Sequence, residues 1–227
     1  MSGLIFVSSG AFSSPEGLPK IPVARVSPIS GSIADWAADR LADGAVEKWV
    51  DLHGTYSVDA PSGAPHQWPI ATEGALGFDG ENDRSDVSGL PATQPKTVAL
   101  VARFPTVAGS TRAFSGGTGG SFDLGINTNA SYYYFSAGSN LMSHQAPDAN
   151  WHVFVVVANG ANSVLSVDGV EKTGNAGSGV GATIRVGATT SAYSRVDIRR
   201  LAILPYAAGE DERAALVSQL SEHYGLT

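Results

Sequence analysis

The strongest hydrophobic pattern lies in residues 96–104 and 151–158, where apolar side chains occupy both faces of two predicted strands. Successive side chains of a strand point to opposite faces of a sheet. In the first stretch one face carries Val98, Leu100, Ala102 and Phe104. In the second stretch one face carries Trp151, Val153, Val155 and Val157. The opposite faces are largely apolar too, which is typical of central strands covered on both sides. The pattern predicts a β core.

A hairpin signal follows the second stretch. Residues 163–167 and 170–173 are strand-like, and Asp168-Gly169 separates them. A type I′ turn needs positive φ at both central positions, which Asp-Gly adopts readily. The two segments are therefore predicted to pair as antiparallel neighbours.

Shorter strand candidates and turns fill most of the remaining chain. Residues 53–74 are predicted to form a loop because Pro61, Gly63, Pro65 and Pro69 interrupt them. Strands are predicted over residues 32–36, 46–51, 75–79, 111–114, 121–125, 131–135, 183–187 and 196–204. This succession of short strands indicates an all-β protein.

Only the C-terminal end has a helical pattern. Leu216, Leu220 and Tyr224 recur at intervals of four residues and form one apolar stripe. Three acidic residues, 210–212, would lie in the first turn, where the helix dipole favours negative charge. Gly225 is predicted to cap a helix over residues 209–224.

Residues 1–29 differ from the rest and are predicted to form an N-terminal arm, with a single domain over residues 30–227. Ser, Gly and Pro interrupt the arm, yet it is too apolar for a solvated tail. Its assembly residues are predicted to be Leu4, Ile5, Phe6, Val7 and Phe12. Two interpretations stay open: a frayed terminus or outer strand, or an arm that docks on a neighbouring subunit.

Composition excludes several classes of function. The chain has 14 basic and 21 acidic side chains, a net charge of −7, so nucleic-acid binding is not expected. No apolar run reaches the roughly 18 residues of a membrane-spanning helix, and no membrane insertion is expected. The first 30 residues lack the pattern of a secretory signal peptide. Without cysteine there is no disulfide and no thiolate metal site.

Four motifs appear together in a recognisable order. They are residues 36–54 with Trp36 and Trp49, residues 76–83 with Phe78-Asp-Gly, the Trp151-His and Val167-Asp-Gly hairpin, and the closing strand and helix. This order resembles the laminin-G-like domain, of bacteriophage and bacterial type, in the concanavalin A-like lectin/glucanase superfamily. The resemblance covers residues 31–227. It implies a two-sheet antiparallel jelly-roll sandwich but no single function.

The glucanases of that superfamily use paired carboxylates in a Glu-x-Asp-x-x-Glu pattern. Acid and nucleophile must lie about 5 Å apart for a retaining reaction. The nearest match here, residues 81–86, ends in Asp86 and falls in a polar turn. The alternative is that Asp79 and Asp83 bind the turn backbone. We therefore expect no enzymatic activity.

The residue pattern predicts no cofactor and no metal site, with Ca²⁺ as the alternative. Some laminin-G-like domains bind calcium, and Asp123, Asn127 and Asp148 are the candidate oxygen ligands for Ca²⁺. Ca²⁺ needs six to eight oxygens, and no Asp-rich loop supplies them. None of the five histidines forms a His-x-x-x-His pair, and His152 is expected to be a satisfied core or interface residue.

The aromatic run of residues 132–135 gives the candidate binding residues. Alternation places Tyr132 and Tyr134 on one face and Tyr133 and Phe135 on the other. One of these two pairs would pack in the core. The other pair would offer rings for sugar stacking or subunit contact, and we predict Tyr132 and Tyr134 as carbohydrate-binding residues. An ordinary packed strand remains the alternative.

Together these features lead to a function expectation that rests partly on the resemblance. The chain is expected to be a non-catalytic virion structural protein of a tailed bacteriophage, a head-decoration or minor tail protein. Its expected partners are other virion proteins and further copies of itself, with assembly in the host cytoplasm. The alternative is a carbohydrate-binding, lectin-like module that attaches to host-surface glycans.

Overall fold

The computed structural model describes residues 27–59, 68–116, 122–189 and 192–226, which form a two-sheet β-sandwich with one α-helix. The strands are β1 Ala34–Ala37, β2 Gly44–Ala45, β3 Lys48–Val50, β4 Ser57–Asp59, β5 Ile70–Thr72, β6 Ala75–Asp79, β7 Ser85–Val87, β8 Lys96–Arg103, β9 Arg112–Gly116, β10 Asp123–Ile126, β11 Tyr133–Ser136, β12 Asn140–Met142, β13 His152–Ala158, β14 Ser163–Val167, β15 Val170–Gly174, β16 Ile184–Val186 and β17 Arg195–Leu204. The helix α1 runs over Glu210–Tyr224.

The strands form two antiparallel sheets that face each other. The nine-stranded sheet has the order β15-β14-β13-β8-β17-β6-β5-β2, and β1 also pairs with β17. The eight-stranded sheet has the order β12-β11-β10-β9-β16-β7-β4-β3. The prediction of an all-β, two-sheet antiparallel sandwich with a C-terminal helix is confirmed.

The predicted central strands β8 and β13 are buried on both faces. Leu100 and Phe154 point into the main core between the sheets. Val101 and Val153 point outward into a second apolar layer, which α1 covers with Leu216 and Leu220. The helix therefore protects one half of the outer face of the nine-stranded sheet.

The helix ends as its sequence predicts. Gly225 has φ 63° and ψ 43°, the left-handed conformation that glycine adopts without strain, and its N–H bonds the carbonyl groups of the last turn. Arg213 pairs with Glu171 of β15 through two contacts of 2.7 Å.

The hairpin turn at Asp168-Gly169 has φ values of 50° and 84°, which confirms the predicted type of turn.

A buried ion pair joins the first and last strands. Asp35 of β1 and Arg200 of β17 are almost fully buried, and the guanidinium donates to both carboxylate oxygens at 2.6 and 2.7 Å. Arg200 also donates to the Ser27 carbonyl, and the Ile29 N–H donates to Asp35. Residues 27–29 thus contact the sandwich directly.

The remaining arm residues, Leu4, Ile5, Phe6, Val7 and Phe12, lie outside the described residues, so their role and the boundary at residue 29 stay predictions. Within the described part of the chain, no helix is long and apolar enough to cross a membrane.

Several details differ from the sequence expectation, and the short strands β2, β7 and β12 were not among the predicted strands. The predicted loop over residues 53–74 contains the short strands β4 and β5. Trp151 is half-buried and is not a core residue. Its ring lies 4.9 Å from the Arg103 guanidinium and 4.2 Å from that of Arg199. These contacts hold the indole at the edge of the layer beneath α1.

Candidate functional site

A polar cleft of about 400 Å³ opens on the outer face of the eight-stranded sheet, across strands β9 to β12. Its walls come from these four strands and from the turn between β10 and β11. We call it the polar cleft. Among the described elements no helix packs on this face, and its exposed side chains meet solvent, whereas Tyr134 and Ser136 are buried.

The first row of the cleft crosses all four strands. Registers pair Arg112 with Gly125, Gly125 with Tyr134, and Tyr134 with Met142. Because Gly125 has no side chain, the Arg112 guanidinium reaches the Tyr134 ring, 4.8 Å from its centroid. A Cβ atom at Gly125 would lie only 2.0 Å from the Thr111 carbonyl oxygen, so any larger residue would push β9 and β10 apart.

The second row is made of small polar residues around one carboxylate. Asp123 pairs with Ser136, and Ser136 pairs with Asn140. Against the larger opposite effect of burial, the Ser115 hydroxyl and the backbone N–H groups of Gly116 and Phe122 lower the pKa of Asp123 and so favour its charged form. Asp123 and the buried Ser136 line the cleft, and we call them its floor; Arg112, Tyr134 and Asn140 line it as well.

Three polar atoms of the cleft are buried without a hydrogen-bond partner among the described residues. They are Arg112 Nε, Asp123 Oδ1 and the Tyr134 hydroxyl oxygen. Most buried polar atoms in native proteins have a partner, and leaving one unpaired costs about 1–3 kcal/mol. Three such atoms border one cleft, which makes it the candidate functional site on this face.

The electrostatics of the cleft are balanced. Burial raises the pKa of Asp123, while the Ser115 hydroxyl and the nearby Arg112 charge partly offset that effect. Burial also raises the pKa of Tyr134, so its hydroxyl stays protonated at neutral pH. The cleft therefore presents one cation, one carboxylate and one neutral donor, a set that suits a ligand with several hydroxyl groups.

The two predicted binding residues have different positions. Tyr134 lines the cleft and is 4% exposed, and Tyr132 precedes β11 and is 43% exposed. Tyr133 and Phe135 pack in the main core, so the alternation follows the predicted pattern. The carbohydrate role of Tyr132 and Tyr134 stays a prediction. The sequence did not single out Arg112, because the bulge between β9 and β10 breaks the alternation that would have oriented it.

The three candidate calcium ligands lie in different places and have different contacts. Asp123 belongs to the cleft floor, and Asn127 Oδ1 accepts the backbone N–H groups of Ser131 and Tyr132 at 2.8 and 2.9 Å. Asp148 instead contacts His152 at 2.9 Å. Across residues 27–59, 68–116, 122–189 and 192–226, no group of three or more His, Asp or Glu side chains is placed to hold a metal ion.

The acidic turn after β6 has the geometry of a backbone-bound turn. Asp79 Oδ1 accepts the Glu81 N–H at 2.7 Å, and Asp83 Oδ2 accepts the Asp79 N–H at 3.0 Å. Asp86, the last residue of the glucanase-like segment, instead pairs with Arg185 at 2.9 Å. These carboxylates are occupied by the turn and by a neighbouring strand.

His152 forms a second polar cluster beside β11. Its Nδ1 atom lies 2.6 Å from Asp168 Oδ2, and its Nε2 atom lies 2.9 Å from Asp148 Oδ1. The side chain is mostly buried, and its ring lies 5.4 Å from that of Tyr133. The expectation of a satisfied core or interface histidine fits this placement. The contacts with two carboxylates are additional to that expectation.

Comparisons with known proteins give structural likeness only. No protein-family model matches the chain, and no curated protein sequence matches it. The Trypanosoma rangeli sialidase in complex with sialic acid is 15% identical, with a TM-score of 0.64 over 88% of this chain and 35% of that one. The receptor binding domain of botulinum neurotoxin D is 11% identical, with a TM-score of 0.58 over 84% of this chain and 53% of that one.

The chain thus spans about a third of the sialidase and about half of the toxin domain. At these identities the likeness shows a shared sandwich fold and nothing about activity. Together with the sheet topology, it places the chain among jelly-roll-like β-sandwiches.

Proposed function

We propose that this protein is a non-catalytic, glycan-binding β-sandwich of the concanavalin A-like, laminin-G-like type, and that the polar cleft is its binding site. The observation that carries the proposal is the set of three unpartnered polar atoms, Arg112 Nε, Asp123 Oδ1 and the Tyr134 hydroxyl, around one cleft. A sugar ring carries adjacent hydroxyl groups that both donate and accept hydrogen bonds, which is the complement of this set.

The charges of the cleft favour an uncharged sugar. Arg112 and Asp123 interact electrostatically and sum to zero, so a ligand with a negative group would gain from the first and lose from the second. A hydroxyl group of a neutral sugar ring donates a hydrogen bond to Asp123, and the ring's oxygens accept hydrogen bonds from Arg112 and Tyr134. The cleft volume, about 400 Å³, falls in the range of about 300–1,000 Å³ that is typical of small-ligand sites.

Two features of the surroundings support the proposal. Met142 and Tyr132 are partly exposed on or near the rim of the cleft, where they offer apolar surface for the C–H face of a sugar.

The structural neighbours include a sialidase bound to sialic acid and a toxin's receptor binding domain, which adds weight to a binding role for this type of sandwich.

A glycan array followed by calorimetry tests the proposal. Purified protein should bind at least one neutral glycan, and Tyr134→Phe and Asp123→Asn should each weaken that binding by about tenfold. Tyr134→Phe removes a hydrogen bond and Asp123→Asn removes the charge that strengthens one, each an effect of about 1–3 kcal/mol. Asp59→Asn is the matched control, because this exposed carboxylate on β4 of the same sheet bonds Ser57 and does not line the cleft.

The proposal includes the absence of catalysis and of a metal requirement. The array glycan should be recovered intact after prolonged incubation, and EDTA should leave the affinity unchanged. Absence of binding across the array, or equal binding by all three variants, would show that the polar cleft is not a glycan site.

A further inference from the structure

The loop of residues 143–151 connects a wall of the polar cleft to the centre of the other sheet. It begins after β12, which carries Asn140 and Met142 of the cleft, and it ends at β13. β12 is the edge strand of its sheet, and among the described strands it pairs only with β11. The pairing with β11, the buried Leu141 and the loop together set the position of this cleft wall.

Several hydrogen bonds and ring contacts hold the loop, and three of them converge on Tyr133 and His152. The Ser143 N–H donates to the Tyr133 carbonyl at 2.8 Å. The Asp148 N–H donates to the Tyr133 hydroxyl at 3.1 Å. The Asp148 carboxylate contacts His152 Nε2 at 2.9 Å. Tyr133 is the neighbour of Tyr134 in β11, so this fastening is one residue away from the cleft.

The geometry around His152 requires a doubly protonated ring. Each ring nitrogen faces a carboxylate oxygen, at 2.6 Å from Asp168 and 2.9 Å from Asp148. A neutral imidazole has one N–H and one lone pair, so one of its nitrogens would face a carboxylate without a proton between them. Only the imidazolium donates to both. Asp168 is itself fixed, because its other oxygen accepts the Val153 N–H at 2.8 Å.

We infer that the protonation of His152 regulates glycan binding in the polar cleft, because the imidazolium clamps Asp148 to Asp168 and holds the loop that carries the wall formed by β12. This inference rests on the proposed function for its ligand but not for the clamp itself. Loss of the proton removes the contact between Asp148 and His152 and leaves Asp148 with its bonds to the Tyr133 hydroxyl and the Asn150 N–H. The loop loosens, so binding is stronger at acidic pH and weaker at alkaline pH.

The groups that face His152 agree with this direction. Burial lowers the pKa of His152, but hydrogen bonds and charges from Asp168 and Asp148 outweigh it, and the pKa ends above its usual value. The remaining neighbours are Tyr133, whose pKa burial raises to about 12, and Phe154, which does not titrate. A histidine with a raised pKa contributes stability below its ordinary pKa and loses it as the pH rises through the folded value.

The clamp and its effect on binding are tested in two separate arms. The first follows hydrogen exchange of residues 140–151 at pH 5.5 and pH 8.5, with exchange times corrected for intrinsic rates, in the unchanged protein, His152→Gln and His144→Gln. His144 is an exposed histidine of the same loop and serves as the matched control. The second arm measures, at both pH values, the affinity for the neutral glycan that binds most strongly on the array.

The unchanged protein and His144→Gln should protect the loop at pH 5.5 and lose protection at pH 8.5, whereas His152→Gln should be unprotected at both. Affinity should fall by about fivefold or more between these pH values in the first two proteins and stay level in His152→Gln. Comparing the variants at each pH removes the contributions of Asp83 and Lys96, which titrate in the same range.

Equal protection of the loop at both pH values would overturn the clamp, whatever the cleft binds. A pH-dependent loop with a pH-independent affinity would overturn the coupling to the cleft. A pH-dependent loop in a protein that binds no glycan would leave the clamp standing, overturn its regulatory role and reject the proposed function.

Discussion

Asp83 lies in the turn after β6 with 3% of its surface exposed, and we predict that its ionisation destabilises the folded protein. Its Oδ1 atom is buried without a hydrogen-bond partner among the described residues. Burial raises the pKa of Asp83 from 3.8 to about 6, and the Asp79 and Glu81 carboxylates add to the rise. The hydrogen bond from the Asp79 N–H offsets only part of this effect.

The sign of the pH dependence follows from these two pKa values. Between pH 3.8 and about 6 the folded protein keeps a proton on Asp83 that the unfolded chain has already released. The stability from this group is therefore fully present below about pH 4 and is lost as the pH rises through 6. A difference of about two pH units corresponds to roughly 3 kcal/mol.

The substitution Asp83→Asn should remove this loss. Asparagine keeps the shape and the oxygen that accepts the Asp79 N–H, but it carries no charge at any pH. At pH 7.5 the free energy of unfolding should rise by about 1–3 kcal/mol, because the new N–H₂ group gives up part of the gain in a poorly solvated position. At pH 4 the variant should show no gain.

Urea unfolding at pH 4, 6 and 7.5, followed by tryptophan fluorescence, measures the effect. Asp59→Asn is the control, since that exposed carboxylate should give a difference close to zero at all three pH values. If Asp83→Asn proves less stable than the unchanged protein at pH 7.5, then ionised Asp83 stabilises the fold and the reasoning from burial is wrong.

Three further predictions concern other parts of the molecule. Asp35→Ala should cost about 3–5 kcal/mol in urea unfolding, because it leaves the buried Arg200 charge unpaired, and adding Arg200→Met should recover part of that cost. Trp151→Ala should cost about 1–2 kcal/mol, less than a core tryptophan, since the indole is half-buried; a loss of 4 kcal/mol would contradict its position. Deleting residues 2–26 should leave the melting temperature unchanged and lower the mass of any oligomer in light scattering, and unfolding of the truncated protein would exclude an assembly arm.

The β core was predictable because its signal is local, whereas the two-sheet arrangement was expected from the family resemblance. Alternation in β8 and β13 is visible within eight consecutive residues, and the Asp168-Gly169 turn fixes the pairing that follows. The helix α1 was predictable for the same reason. The three-residue strands β4 and β5 were not, since their pairing depends on neighbours that are distant in sequence, and the prolines nearby favoured a loop.

The polar cleft could be predicted only in part. Alternation correctly set Tyr134 on the opposite face from Tyr133, but the cleft joins residues of four strands whose register the sequence does not reveal. The bulge that pairs Gly125 with Arg112 is a further obstacle, because one extra residue reverses the face on which the following side chains lie. The virion role expected from the family resemblance stays a prediction.

The outer faces of the two sheets are unlike each other, and this difference limits what polarity alone can prove. The face beneath α1 is apolar because the helix covers it. The eight-stranded sheet has no such cover among the described elements, so its outward residues must be polar for solubility alone. Arg185 and Asp86 on that face satisfy each other at 2.9 Å and need no ligand. Arg112 and Asp123 lie on the same face, yet each keeps a buried atom without a partner. This missing pairing, and not the polar surface itself, is the observation on which the proposed binding site rests.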